Sequence, residues 1–256
     1  MDNLGCDSYA LQFQQRYGRF RSQPFRIRGV PEVKVEIWSD VVCPWCYIGK
    51  RRFEKALESF PHRDEVEVVY RSFQLDPGAQ QVYPGSNDEL LAEKFGGDLE
   101  RAKAMNAQVS EMAAQEGLDY RLDEARPGNT LDAHRLLHFA AAKGRGNEAK
   151  ERLLRAYFTD GKSIGDQAEL AGIFTEMGFD RDEVERVLAG DDYRQEVDAD
   201  FELGRSIGVQ GVPFFVFGRR YAVSGAQPTE LFGEVLEKTW EEAQPAEAEP
   251  AVPGHR

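Results

Sequence analysis

The stretch VKVEIWSDVVCPWCYIGKRRFEKALESFP, residues 33–61, constrains the fold more than any other part of the chain. In VKVEIW, Val33, Val35 and Ile37 alternate with Lys34 and Glu36, the period of two with which a strand faces a core. From Pro44 the period becomes helical: Trp45, Ile48, Phe53, Ala56, Leu57 and Phe60 are spaced to share one face, and Pro61 ends the run. Between strand and helix stands Cys43-Pro44-Trp45-Cys46, which holds two of the chain's three cysteines. A strand that feeds a helix through Cys-X-X-Cys admits three readings: a metal clip, a structural disulfide or a redox pair.

The position of the pair favours redox chemistry. A cysteine just before the first helical turn faces unpaired backbone N–H groups and the positive end of the helix dipole, and both stabilise a thiolate. Cys43 stands there, with Pro44 at the first helical position, where a missing N–H costs nothing. A Cys43 pKa in the range ~3.5–7.5 is expected. Cys46 lies one turn deeper on the same face, so Cys43 attacks and Cys46 resolves the mixed disulfide. Pro44 and Trp45 are the residues expected to tune redox poise.

A chain of 256 residues can bury a core without disulfide staples. No apolar run approaches the ~20 residues of a membrane-spanning helix. The first twenty residues lack the ~7–15-residue apolar segment of a secretory signal. A cytoplasmic location is therefore expected, and thiols kept reduced there argue against a structural disulfide. The formal net charge of −13 opposes binding to nucleic acid or anionic lipid, so neither is an expected partner.

The rest of the chain divides by pattern. Residues 1–31 carry no clear period and read as an irregular leader, with Cys6 as a free thiol. A second strand is predicted over 66–73. Residues 87–208 read as helices broken near Gly96-Gly97, Gly117, Pro127-Gly128, Gly144, Gly161, Gly178 and Gly190, with Thr130 and Asp180 as N-caps. Strands return at 214–217 and 221–223 around the turn Gly218-Arg219-Arg220, and a last helix is predicted over 229–241. The Ala-, Pro- and Glu-rich end, 243–256, reads as disordered.

Several residues stand as candidates around the cysteines. Pro213 directly precedes a strand in GVQGVPFFVF, one of the few places a sheet accepts proline, and a cis Val212–Pro213 bond would turn the backbone of Val212 toward an extended substrate. Asp40 could accept a proton from Cys46, repel a thiolate, or simply tie its own loop. Arg51, Arg52 and Lys55 read as a solvated face. His134 and His138, four apart on a helix, could complete a Cys2His2 zinc set. Against zinc, the two halves are far apart in sequence, and HRLLH lacks the glutamate of HExxH. No metal and no organic cofactor is expected.

WSDVVCPWCYIGKRRFE, NTLDAHRLL and GVQGVPFFV, in this order, resemble the DsbA-like branch of the thioredoxin superfamily, and in particular its FrnE-like proteins. The resemblance covers about Val33 to Trp240. It implies an α/β thioredoxin fold with a large inserted all-helical domain, a cis proline at Pro213, and thiol–disulfide exchange at Cys43 and Cys46. The same branch holds kappa-class glutathione transferases and 2-hydroxychromene-2-carboxylate isomerases, which typically carry serine where Cys43 stands. Some FrnE-like proteins have a further cysteine pair near the C-terminus, and this chain has no cysteine after Cys46.

The organisation expected is a leader (1–31), a thioredoxin-like domain (32–84 plus 209–242), a helical insertion (85–208) and a tail (243–256). The function expected is a thiol–disulfide oxidoreductase acting on protein or small-molecule thiols and disulfides, reset by a low-molecular-weight thiol or a reductase, as a monomer or homodimer. Val212 and Pro213 would bind substrate, with His134 and Asp40 in support. The competing readings are a transferase or isomerase of small aromatic substrates and a non-catalytic peptide binder.

Overall fold

The computed structural model describes residues 33–244. The expectations for the leader, for Cys6 and for the tail beyond Gln244 lie outside the described residues. The elements are β1 (Val33–Ser39), α1 (Pro44–Ser59), β2 (Val66–Ser72), α2 (Asn87–Lys94), α3 (Leu99–Gln115), α4 (Leu131–Ala142), α5 (Gly146–Phe158), α6 (Gln167–Glu176), α7 (Arg181–Ala189), α8 (Arg194–Ser206), β3 (Phe214–Phe217), β4 (Tyr221–Ser224) and α9 (Thr229–Ala243). No described helix is long and apolar enough to cross a membrane.

The strands form one mixed sheet in the order β2-β1-β3-β4. β1 runs parallel to β2, with Val33 opposite Val66, and antiparallel to β3, with Ile37 opposite Phe215. β3 and β4 make the predicted hairpin, and Arg219 in its turn takes a positive φ of 55°. All of α2 to α8 falls between β2 and β3, so the chain leaves the sheet after one edge strand and returns beside the central strand. This is a thioredoxin-like α/β fold with a helical insertion.

Strand alternation sorts β1 onto two faces. Val33, Val35 and Ile37 join Phe53, Ala56, Phe60, Phe215, Phe217, Phe232 and Leu236 in a core between the sheet and helices α1 and α9. Trp38 points the other way, into a small cluster with Val209 and Val216 under α8. Its indole donates to the Asp200 carbonyl at 2.9 Å, and a Cβ on Gly204 would come within 2.8 Å of that nitrogen. Glycine is what lets α8 lie this close. Glu36 also faces this side and is buried among Arg71 and Arg219, which hold its carboxyl below the ordinary range against the cost of burial.

The predicted single apolar face of α1 is corrected. Tyr47 and Ile48 join the core of the insertion, Phe53, Ala56 and Phe60 join the sheet core, and Trp45 is 37 % exposed. The helix is wedged between two cores, and sequence period cannot separate one broad face from two adjoining ones. Of the residues expected on a solvated face, Lys55 is exposed, whereas Arg51 and Arg52 are half-buried. Arg51 and Lys50 grip Glu151 of α5, while Arg52 and Lys55 grip Glu116 beyond α3 at 2.7 and 2.6 Å. Thr130 holds the N-cap position of α4, but its side chain makes no capping bond; Asn129 Oδ1 accepts from the Leu131 N–H at 2.9 Å instead. Asp180 caps α7 as predicted, accepting from Glu183 N at 3.0 Å.

The Glu151 junction gives an acid-lability prediction. Burial works against the charged carboxylate, yet Arg51, Lys50 and Tyr47 bring it from the ordinary 4.5 down to about 2. The folded pKa is depressed, so its stabilisation is present above pH 4.5 and is lost as pH falls through about 2. Discounted for solvent, the loss should be about 1–2 kcal/mol. Glu151→Gln should flatten that part of the stability curve in urea melts read between those pH values.

Candidate active site

Cys43 is the N-cap residue of α1, with an extended backbone (φ −88°, ψ 114°) and Pro44 next to it at the start of the helix. The Cys46 N–H donates to the Cys43 carbonyl at 3.0 Å, closing the first turn. Tyr120 Oη donates to the Pro44 carbonyl at 2.7 Å, so the insertion holds the helix start from outside the sheet. Both cysteines are free thiols, and both are nearly covered, Cys43 at 3 % and Cys46 at 2 % exposure.

The loop before β3 comes to the same place. The Val212–Pro213 bond is cis. Cys43 Sγ lies 3.5 Å from the Val212 carbonyl oxygen, a contact between residues 169 apart in sequence. Gly49 makes the approach possible: a Cβ there would meet Pro213 Cγ at 3.0 Å and the Ala226 backbone at 3.4 Å. Gly49→Ala should push the proline loop away from α1 and cost about 1–3 kcal/mol of stability. Differential scanning calorimetry checks this. Sequence reasoning passed over Gly49, because a glycine inside a helical period carries no sign of what packs on it.

Asp40 and His134 meet, although they are 94 residues apart. Asp40 Oδ1 accepts from the Val41 N–H at 2.8 Å and stands 3.2 Å from His134 Nε2; Oδ2 accepts from the Leu75 N–H at 2.8 Å. Burial pushes the Asp40 carboxyl up, but His134 and Leu75 bring it below its ordinary value, so it is ionised. Burial also pulls His134 down, outweighing Asp40, and leaves a neutral ring. With Asp40 ionised, Nε2 carries the ring proton, and the buried Nδ1 has no hydrogen-bond partner among the described residues. His138 turns elsewhere, to Asp200 and Ser72 at 3.1 Å each. Among the described residues no three His, Cys, Asp or Glu side chains are gathered as a metal would need.

The two sulfurs, in contact with each other, titrate as one unit. Burial opposes ionisation of Cys46, yet its thiol lies below the ordinary value because Cys43 donates to it, the Lys150 charge is near, and Ser39 and the Asp40 N–H face it. The hydrogen bond with Cys46 and burial then hold Cys43 well above the ordinary range. The easier proton loss therefore belongs to the pair, shared across the contact of the two sulfurs, and not to Cys43 by itself. The pair loses one proton readily and keeps the other firmly. The donors responsible lie on the inner, Cys46 side, where no local sequence pattern could place them.

Beside the pair opens a cavity of about 400 Å³ between the Cys-X-X-Cys loop and the insertion, lined by Val42, Pro44, Leu75, Leu90, Leu91, Tyr157 and Phe158 among others. Asn87, Asn106 and Lys94 supply polar groups on its wall.

Comparison with known proteins agrees with this architecture. A structure from Streptomyces coelicolor, described as a probable DsbA oxidoreductase, is 44 % identical, covers 87 % of this chain and all of its own length (100 %), and superposes with a TM-score of 0.79. Two more distant structures share the fold. A 2-hydroxychromene-2-carboxylate isomerase is 14 % identical over 82 % of this chain and 97 % of its own, with a TM-score of 0.61. The cytosolic disulfide reductase DsbM of Pseudomonas aeruginosa, with GSH, is 17 % identical over 81 % of this chain and 99 % of its own, with a TM-score of 0.56. The sequence profile of the DSBA-like thioredoxin domain matches residues 34–237. With its strand–Cys-X-X-Cys–helix unit facing the Val212–Pro213 loop, the chain belongs to the DSBA-like thioredoxin domain family.

Proposed function

We propose that this protein is a cytoplasmic, FrnE-like thiol–disulfide oxidoreductase that cycles Cys43 and Cys46 between dithiol and disulfide. The observation that carries the reading is the placement of Cys43 Sγ at the head of α1 and 3.5 Å from the Val212 carbonyl. The sulfur thus lies where an extended substrate would run along the Val212–Pro213 backbone.

The proton shared between the sulfurs can pass across their contact, which puts the negative charge on Cys43 as it attacks. Cys43 thiolate attacks a substrate disulfide, the first substrate sulfur leaves as thiolate, and Cys46 then displaces the second while forming the Cys43–Cys46 disulfide. A low-molecular-weight thiol or a reductase resets the pair; in the opposite direction the oxidised pair accepts attack by a substrate thiolate. Pro44 and Trp45 set the poise, and exposed Trp45 borders the substrate. Asp40 and His134 hold the loop that carries Cys43. The domains are read as 32–84 plus 209–242 with an insertion over 85–208.

Catalysed reduction of insulin by a small thiol, or oxidation of a dithiol peptide, tests the reading. Turnover above the uncatalysed rate that disappears on loss of either cysteine supports it; absence of turnover in both directions rejects it. A second reading is favoured by the cavity beside Pro44: a small apolar or aromatic substrate turned over by a transferase- or isomerase-like reaction. That chemistry would survive Cys46→Ser.

A further inference from the structure

Lys150, on α5 of the insertion, is only 1 % exposed. Its ammonium makes one hydrogen bond, to the Ser39 carbonyl at 3.1 Å, and no ion pair among the described residues. The Tyr70 ring lies 5.8 Å away. A buried cation with one acceptor is costly unless an anion is near to offset it. The groups around it are Ser39 at the end of β1, Asp40 just after it, Cys43 at the head of α1 with Cys46 and Lys50 on that helix, Tyr70 on β2 and His134 on α4. The anions they can supply are the Asp40 carboxylate and a thiolate of the cysteine pair, and Asp40 is already held by Val41, Leu75 and His134.

One peptide group joins the lysine to the sulfurs. Its carbonyl end, Ser39, accepts from Lys150, and its N–H end, Asp40, faces the Cys46 sulfur. A cation on the carbonyl polarises the peptide and strengthens its N–H as a donor. The Ser39 hydroxyl, buried and without a hydrogen-bond partner among the described residues, also faces that sulfur.

We propose that Lys150 is a positioning residue for the redox pair, stabilising its thiolate through the Ser39–Asp40 peptide, so that the helical insertion sets the oxidising power of the dithiol. This rests on the oxidoreductase reading of the pair. The charge favours the reduced form, because only that form carries the thiolate. Burial brings Lys150 down to about 8 even with the thiolate sulfurs pulling it up, and lower once they are joined. When dithiothreitol reduces the disulfide it gives two electrons and two protons. One proton stays on the pair as the remaining thiol. The other goes to solvent when Lys150 is already charged, and to Lys150 when it is neutral.

The test measures reduction potential in dithiothreitol buffers, and thiol ionisation by alkylation rate, for the wild type, Lys150→Met and Lys150→Gln. The neutral variants should raise the pair's first thiol pKa about one unit, and shift the dithiol–disulfide equilibrium about tenfold toward disulfide, roughly 30 mV more negative. The wild-type potential should fall more steeply with pH over a window ending near 8, where reduction charges Lys150, and that arm needs no variant. Variants equal to wild type in both readouts, or a wild-type potential with no change of slope, would overturn the proposal. A wild-type pair that never forms a disulfide would defeat the oxidoreductase reading instead, and the alkylation profiles of wild type and variants would still decide for or against Lys150.

Discussion

Replacing Cys43 with serine should lower disulfide turnover by at least about 10³-fold, to the uncatalysed rate, because the group that forms the first covalent bond to substrate is gone. A hydroxyl has no thiolate to offer, and Cys46 cannot substitute from its inner position, against the Ser39 hydroxyl and the Asp40 N–H. The fold should survive, since the serine hydroxyl can still donate to the Val212 carbonyl that Cys43 meets at 3.5 Å. Cys46→Ser should lose steady-state turnover to a similar degree by a different route. It attacks once and stops, and the substrate stays attached to Cys43 as a mixed disulfide. Intact-mass measurement after mixing with an oxidised peptide distinguishes the two: an adduct on Cys46→Ser and none on Cys43→Ser. Equal turnover by wild type and Cys43→Ser would contradict the assignment.

The second large effect is expected at Asp40, and it is structural. Its carboxylate receives the buried Val41 N–H and the half-buried Leu75 N–H and meets the buried His134. Asp40→Ala removes the acceptor from the buried Val41 amide, the half-buried Leu75 amide and one buried imidazole. The cost should be about 3–5 kcal/mol in a urea melt at neutral pH. Asp40→Asn keeps the shape but turns one acceptor into a donor that opposes either Leu75 N–H or His134, so it should recover only part of the loss. The sign with pH follows from the lowered carboxyl pKa. Asp40 stabilises the fold above its ordinary value of 3.8, and that contribution is lost as the solution is acidified through the lower folded value. If Asp40→Ala were as stable as wild type, the loop before Cys43 would have to be held by something else.

Much of this was legible in the chain itself because it is written locally. The alternation in VKVEIW, the change of period at Pro44 and the Gly-Arg-Arg turn are each set by contacts among near neighbours, and each element lies where those patterns put it. The cis bond at Pro213 was expected from resemblance, but the contact of Cys43 with Val212 was not legible, since nothing in either segment alone points to the other. What stayed hidden depends on how the insertion folds back. Lys150 looks like any helix-surface lysine until α5 is seen against the end of β1. Gly49 and Gly204 look like blemishes in helices until Pro213 and Trp38 are found against them. The share of proton between the sulfurs depends on Ser39, Asp40 and Lys150 together, three residues from two distant segments.

The most direct test of the account is a redox titration of the purified chain across dithiothreitol ratios, with thiols trapped by alkylation and located by peptide mass. The account predicts that Cys43 and Cys46 lose alkylation together in a single two-electron transition that is fully reversible, with Cys6 left alkylated throughout. Independent labelling of Cys43 and Cys46 at every ratio, with no bond between them, would contradict it.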